Sequence, residues 1–198
     1  MGLWGASDSD ESKPKNLTTA EKKEVFANTT GWVVEAGSSM TGNDNTSATP
    51  EVLVAIGGLS AALGAADITQ IEWITTAADK SDGFTLSARV RFNEPVAVVT
   101  TGGTPTLAVT NGNQGTGSGR GPHALAYASG TGTNELVFSL AIAAANAATN
   151  ADDVLVIGAN ALALNSGTIK DVATSTTNAT ITNSSAIGTA AGSITVTA

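Results

Sequence analysis

Residues 84–92 read FTLSARVRF, and their alternation decides the fold. Phe84, Leu86, Ala88, Val90 and Phe92 occupy every second position, with Thr85, Ser87, Arg89 and Arg91 between them. A period of two is the signature of a strand with one face on a core and the other in water. The pattern therefore predicts Phe84, Leu86, Ala88, Val90 and Phe92 inside and both arginines solvated. A one-residue slip would bury both charges, so the register is tightly specified.

Outward from this strand the chain repeats the theme. ELVFSLAI at 135–142 places Leu136, Phe138, Leu140 and Ile142 on one face. ITQIEWIT (68–75), TLAVT (106–110), HALAY (123–127), DVLVI (153–157), ALAL (161–164) and SITVT (193–197) supply further short strands. Turn residues separate them at 93–95, 101–105, 111–122 and 129–134. Seven or eight short strands in about 130 residues is the size of an immunoglobulin-like sandwich. The predicted class is mainly β, an Ig-like β-sandwich over 67–198 preceded by an extended N-terminal arm, 1–66, with a short helix.

In the arm, Thr18-Thr19-Ala20-Glu21 matches a capping box, and a helix of two or three turns through Val25 and Phe26 is expected. Residues 1–37 are polar yet hold Trp4 and Trp32, and they show too little alternation to build a core of their own. Large aromatics on such an arm need a surface to bury against. Residues 38–49 are a loop, and after Pro50 the run EVLVAIGGL reads as a buried β-branched strand. Residues 60–66 are a small-residue connector.

Composition narrows the function classes. The 198 residues carry a formal charge of −8, with four of the nine basic residues among mixed signs in the first 24 positions. Nucleic-acid binding needs clustered Lys and Arg, so it is not expected. Cysteine is absent, which excludes disulfides and thiolate chemistry. No apolar run approaches the roughly 20 residues that span a bilayer, and no membrane partner is expected. The first residues lack a secretory layout, and Ala6 stands where a myristoylation motif wants Ser or Thr.

Candidate chemical groups are few. His123, the single histidine, could act as a general base, but as a strand residue alternating with Leu125 and Tyr127 it has no neighbouring carboxylate in sequence to orient it. GNQGTGSGRGP (112–122) matches neither a phosphate loop nor a dinucleotide fingerprint. Asn150, Asp152 and Asp153 offer side-chain oxygens, fewer than calcium takes, and suit an Asx turn better. Ser7-Asp8-Ser9-Asp10-Glu11 lacks EF-hand spacing. The expectation is a non-enzyme with no catalytic residues, no metal and no cofactor.

Two resemblances add to this reading. WG at 4–5, KPK at 13–15, EK at 21–22, VFA at 25–27, GWV at 31–33 and PEVLVAI at 50–56 together resemble the N-terminal region of abundant virion structural proteins of marine tailed phages, cyanophages especially. FTLSARVRFNEPVAVV, GTPTLAVTNG, ALAYASGTGTNELVFS and DDVLVIGANALALNSGTIKDVA resemble an Ig-like repeat of large cyanobacterial and bacterial surface proteins. The first resemblance implies an anchoring module that carries a variable outward domain, and the second implies that domain's fold. Together they imply a capsid decoration protein on the virion surface, made in the host cytoplasm, with Trp4, Phe26 and Trp32 as partner-binding residues. The implied partners are the major capsid protein or other virion structural proteins, with homo-oligomerisation compatible. A neck, tail or fibre component is the alternative, and beyond it a bacterial adhesin or glycan-binding module; no motif supports a host surface glycan.

Overall fold

A computed structural model describes residues 13–28, 30–55, 65–113 and 121–198. Trp4 lies outside them. In the arm stand α1 (Glu21–Glu24), β1 (Val25–Asn28), β2 (Gly31–Val34) and β3 (Glu51–Ala55). The rest comprises β4 (Ile68–Trp73), β5 (Ala78–Asp79), β6 (Phe84–Val99), β7 (Thr106–Asn113), β8 (His123–Ser129) and β9 (Thr133–Ile142). It continues through β10 (Asp153–Val156), β11 (Leu162–Ala163), β12 (Thr168–Asp171), α2 (Ser185–Ala190) and β13 (Ser193–Thr197). The protein is mainly β, as the alternation predicts.

The arm strands form a three-stranded sheet ordered β1-β2-β3. The remaining strands form a long sheet ordered β12-β6-β9-β8-β7-β10-β13-β5, with β11 added to β7 and β4 to β6. Its strands share one hydrophobic core, in a sandwich-like arrangement. Leu86, Ala88, Val90 and Phe92 of β6, and Leu136 and Phe138 of β9, are all fully buried in it. Their registers match, Leu86 opposite Leu140, Ala88 opposite Phe138 and Val90 opposite Leu136, so facing residues share the core side of the pleat. Phe84, at the strand's start, is half-buried against the same core.

β6 overruns the turn expected at 93–95. β4 pairs with Ala88–Phe92 and β12 with Val96–Val99 along the same flank, so one partner hands over to the next at those residues. Pro95 has no N–H to donate, and a handover between partners is where that loss is tolerated. Its carbonyl accepts from Val172 N at 3.0 Å. α2 was not foreseen; Ser184 caps it by accepting from Ile187 N.

The arm departs most from expectation. The capping box forms, with Thr18 N donating to Glu21 Oε2 at 2.7 Å and Glu21 N to Thr18 Oγ1 at 3.3 Å. The helix then stops after Glu24, and Val25 and Phe26 enter β1. Pairing wins because Val25 faces Val34 and Phe26 faces Val33 across the ladder, a burial that one extra helical turn would not provide. The arm also has a small core of its own: Val25, Trp32 and Val34 pack together with Leu17 and Met40. EVLVA is a strand but not a buried one, since all five residues of β3 are exposed.

The β8–β9 hairpin carries a positional demand for glycine. Gly130 sits at φ +109°, and a Cβ there would stand 1.9 Å from the Glu135 carbonyl oxygen. Gly158 has nothing within 4 Å of such a Cβ and no positive φ. Gly130→Ala is expected to lower unfolding free energy in urea by roughly 2 kcal/mol or more, and Gly158→Ala to change it by less than about 0.5 kcal/mol. Equal effects at the two positions would show that the hairpin relaxes around the added methyl.

Candidate functional site

At its Arg89–Arg91 end the polar face of β6 is covered, although Thr85 is exposed. Arg91 is wholly buried and the Arg89 side chain is 25% exposed, because the arm sheet lies over that face. Arg91 meets Glu35 of the arm through Nη2, Glu135 of β9 through Nε at 2.8 Å, and Glu72 of β4 at 3.2 Å. Its Nη1 donates to Gln70 Oε1 at 3.2 Å, and its guanidinium lies 4.6 Å over the Phe26 ring. Arg89 adds contacts of 3.3 Å to Glu35 and 3.3 Å to Glu135. Its Nε stands 2.9 Å from Glu72 Oε1, a charge contact without hydrogen-bond alignment.

The sequence builds this cluster from four places. Arg89 and Arg91 share a face by strand period, and the register puts Glu135 opposite Arg91 and Glu72 opposite Arg89. Glu35 follows β2 directly and is fixed by its own N–H donating to Glu24 O at 2.8 Å. Gln70 ties the arm again, donating through Nε2 to Lys23 O at 2.9 Å. Lys13 Nζ donates to Lys22 O at 2.6 Å, closing the arm over a groove of about 910 Å³ against β4 and α2.

Three carboxylates surround two guanidiniums, so one negative charge is in excess, and it shows in the pKa values. Burial pushes Glu72 above its ordinary 4.5, and the repulsion of Glu35 and Glu135 adds to this against the pull of Arg91 and Arg89. Burial would raise Glu135 too, but Arg91 and Arg89, by charge and by hydrogen bonds, outweigh it and hold that carboxyl below 4.5. Burial also opposes the charge on Arg91, but Glu72, Glu135 and Glu35 more than compensate. The cluster is a clasp between arm and sandwich.

Phe26 and Trp32, expected as partner-binding residues, are fully buried in their own chain. Phe26 lies beneath Arg91 and Trp32 sits in the arm's small core, so in this fold neither has surface left for a partner. Their packing mates, Val33 and Val34, lie in a four-residue strand too short to show a period. The Trp32 indole N–H is buried without a hydrogen-bond partner among the described residues, a cost of about 1–3 kcal/mol. Trp4, the third such residue, falls outside the described residues.

His123 opens β8 as expected and is buried. The fold brings it what the sequence does not place nearby: Thr149 Oγ1 lies 2.9 Å from its Nε2, and the Asp153 charge acts on it. Burial lowers its pKa, with Asp153 opposing, so the ring is neutral at pH 7. Thr149 is itself fully buried, out of a substrate's reach, and the group serves as a tie between β8 and the 146–153 turn. Asp153 accepts from Asn150 N at 2.7 Å and from Asn111 Nδ2 of β7 at 2.9 Å, while the bond of Asx-turn form in this segment is Ala148 N donating to Asn146 Oδ1 at 2.8 Å. Among the described residues no three His, Asp or Glu side chains could jointly hold a metal ion, and no helix is long and apolar enough to cross a membrane. The glycine-rich stretch 114–120 and residues 7–11 lie outside the described residues. No protein-family model, curated protein or solved structure matches the chain.

The two shifted glutamates pull stability in opposite directions with pH. Glu72, raised in the fold, takes up a proton there before the unfolded chain does, so stability rises as pH falls from neutral towards 4.5. Glu135, lowered in the fold, stabilises fully above 4.5, and that contribution is lost as pH falls through its folded value. Chemical denaturation from pH 7.5 to 3.5 should show wild-type stability rising, then falling. Glu72→Gln should abolish the rise, and Glu135→Gln should destabilise at pH 7 by roughly 2–4 kcal/mol by leaving Arg91 under-paired. A rise that survives Glu72→Gln would remove Glu72 as its source.

Proposed function

We propose that this chain is a structural protein of a phage virion, a capsid decoration protein whose N-terminal module, 1–66, holds the shell while the β-sandwich projects outward. The observation that carries the reading is architectural. Residues 13–55 build a separate small sheet with its own core, clasped to the sandwich at one buried charge cluster. That two-part build fits the anchor and outward domain that the sequence resemblances imply. Its polar investments go into holding parts together: the Arg91 cluster joins arm to sandwich, and the His123–Thr149 pair joins strand to turn. A decoration protein acts by adding buried area at many repeated sites, not by chemistry.

Binding to an assembled lattice stabilises it by mass action, because dissociated subunits lack the composite site. The full chain, added to particles stripped of it, should rebind in hundreds of copies per particle and raise the temperature at which DNA is released. Glu35→Ala, which removes the arm's carboxylate from the clasp, should weaken rebinding at least tenfold while the sandwich stays folded by circular dichroism. Six or twelve bound copies with unchanged shell stability would move the protein to the neck or tail. No binding to particles would remove the virion reading.

A further inference from the structure

The groove of about 910 Å³ between the arm and the β4–α2 side of the sandwich has two chemically different walls. The arm supplies Lys13, Lys22 and Lys23, and the sandwich supplies Ile71, Trp73, Ile187, Ala190 and Ala191. Trp73 is fixed there by its indole Nε1, which donates to Gly192 O at 3.3 Å. Two acidic residues also line the groove, Asp67 and Glu72. Glu72 is committed to Arg89 and Arg91, at 2.9 and 3.2 Å, so the lysines outweigh what remains. A basic wall beside an apolar one suits a segment that carries carboxylates and a large aromatic side chain.

The chain itself carries such a segment, and it ends at the groove. Residues 1–12, MGLWGASDSDES, lead into Lys13, which lines the groove and is held there by its Nζ bond to Lys22 O. They contain Leu3 and Trp4, then Asp8, Asp10 and Glu11, and no Lys, Arg or His. The carboxylates stand within five positions of Lys13, and Trp4 stands nine positions away. Nine residues can reach about 30 Å at ~3.3 Å each, farther than the roughly 17–20 Å that the six residues of β4 span. The acidic residues therefore fall beside the lysines of the arm, while Trp4 can reach Trp73 and α2. We propose that residues 3–11 dock in this groove, with Trp4 against Trp73 and α2 and the carboxylates of Asp8, Asp10 and Glu11 on the arm's lysines.

Other surfaces suit this segment less well. Among the described residues β3 is the open edge of the arm sheet and exposes Val52, Leu53 and Val54, but it carries no basic residue. The smaller hollow over 37–44 is lined by Asp44 and has neither a basic nor a large apolar residue. The contact need not be large, because a covalently attached segment meets its site at an effective concentration in the millimolar range. Docking makes a second tie between arm and sandwich, on the β4 side of the clasp. It also gives Trp4 a surface within its own chain.

The chain has no cysteine, so a pair of introduced ones tests this on the full chain, without any particle and independently of the virion reading. Gly5→Cys stands next to Trp4, and Ala190→Cys at an exposed position on the groove. A short bismaleimide should join this pair within one chain at least tenfold faster than it joins Gly5→Cys to Val99→Cys, a 50% exposed position on β6. Adding Trp4→Ala to the first pair should slow its crosslinking roughly tenfold or more, and adding Lys23→Glu roughly threefold, with circular dichroism unchanged in both. Equal rates for the two pairs overturn the proposal. So does a fast crosslink that survives Trp4→Ala, which tethering at Lys13 alone would give, one indifferent to Lys23→Glu, or a product that joins two chains.

Discussion

A guanidinium with no exposed surface is tolerated only where charge and hydrogen bonds replace the water it gave up. Arg91 meets that condition with Glu35, Glu72, Glu135 and Gln70, and Phe26 covers its open face. These partners come from β4, β9 and the arm, so the charge is satisfied only when all three are in place. Glu35 is 56 residues from Arg91 in sequence. An arm laid over β6 in any other register would cover the guanidinium without the Glu35 carboxylate, so the cluster specifies how the arm sheet sits on the β-sandwich.

That dependence is a matter of placement more than of strength. A buried ion cluster returns little net stability over an apolar contact of the same shape, because desolvation offsets most of the attraction. Its value lies in the steep penalty for any other arrangement. The excess carboxylate fits this view: Glu72, with its pKa raised, bears the desolvation that Arg91 and Arg89 do not fully compensate. Apolar cover over β6 would hold the arm as firmly but would allow it to slide.

The sequence carried the core but not the cover. Alternation in FTLSARVRF correctly put Leu86, Ala88, Val90 and Phe92 inside, because period two states which side of a strand is apolar. It does not state what lies over the polar side, so Arg89 and Arg91 read as solvated. GWVV failed for a related reason, since a four-residue strand buried on both faces has no alternation to show. EVLVA failed in the opposite sense: β-branched residues mark a strand without telling how many neighbours it has. The capping box at Thr18 and Glu21 was legible because it is local, whereas the helix length was set by Val33 and Val34 across the ladder. His123 could not be assigned its partners because Thr149 and Asp153 lie 26 and 30 residues on.

The clasp and the open edge are mechanically one device. Glu35 follows β2, the strand that pairs with β3, so the residue that grips Arg91 is covalently continuous with the strand that supports the edge. A force on β3 passes through the β2 ladder to β1, and from Phe26 and Glu35 into β6, with no flexible linker on the path. The chain between β2 and β3 is itself bonded turn on turn, with Ser38 Oγ donating to Glu24 and Asn43 and Asn45 accepting from backbone two residues on. The three exposed apolar residues of β3, Val52, Leu53 and Val54, are therefore held at a set orientation to the β-sandwich.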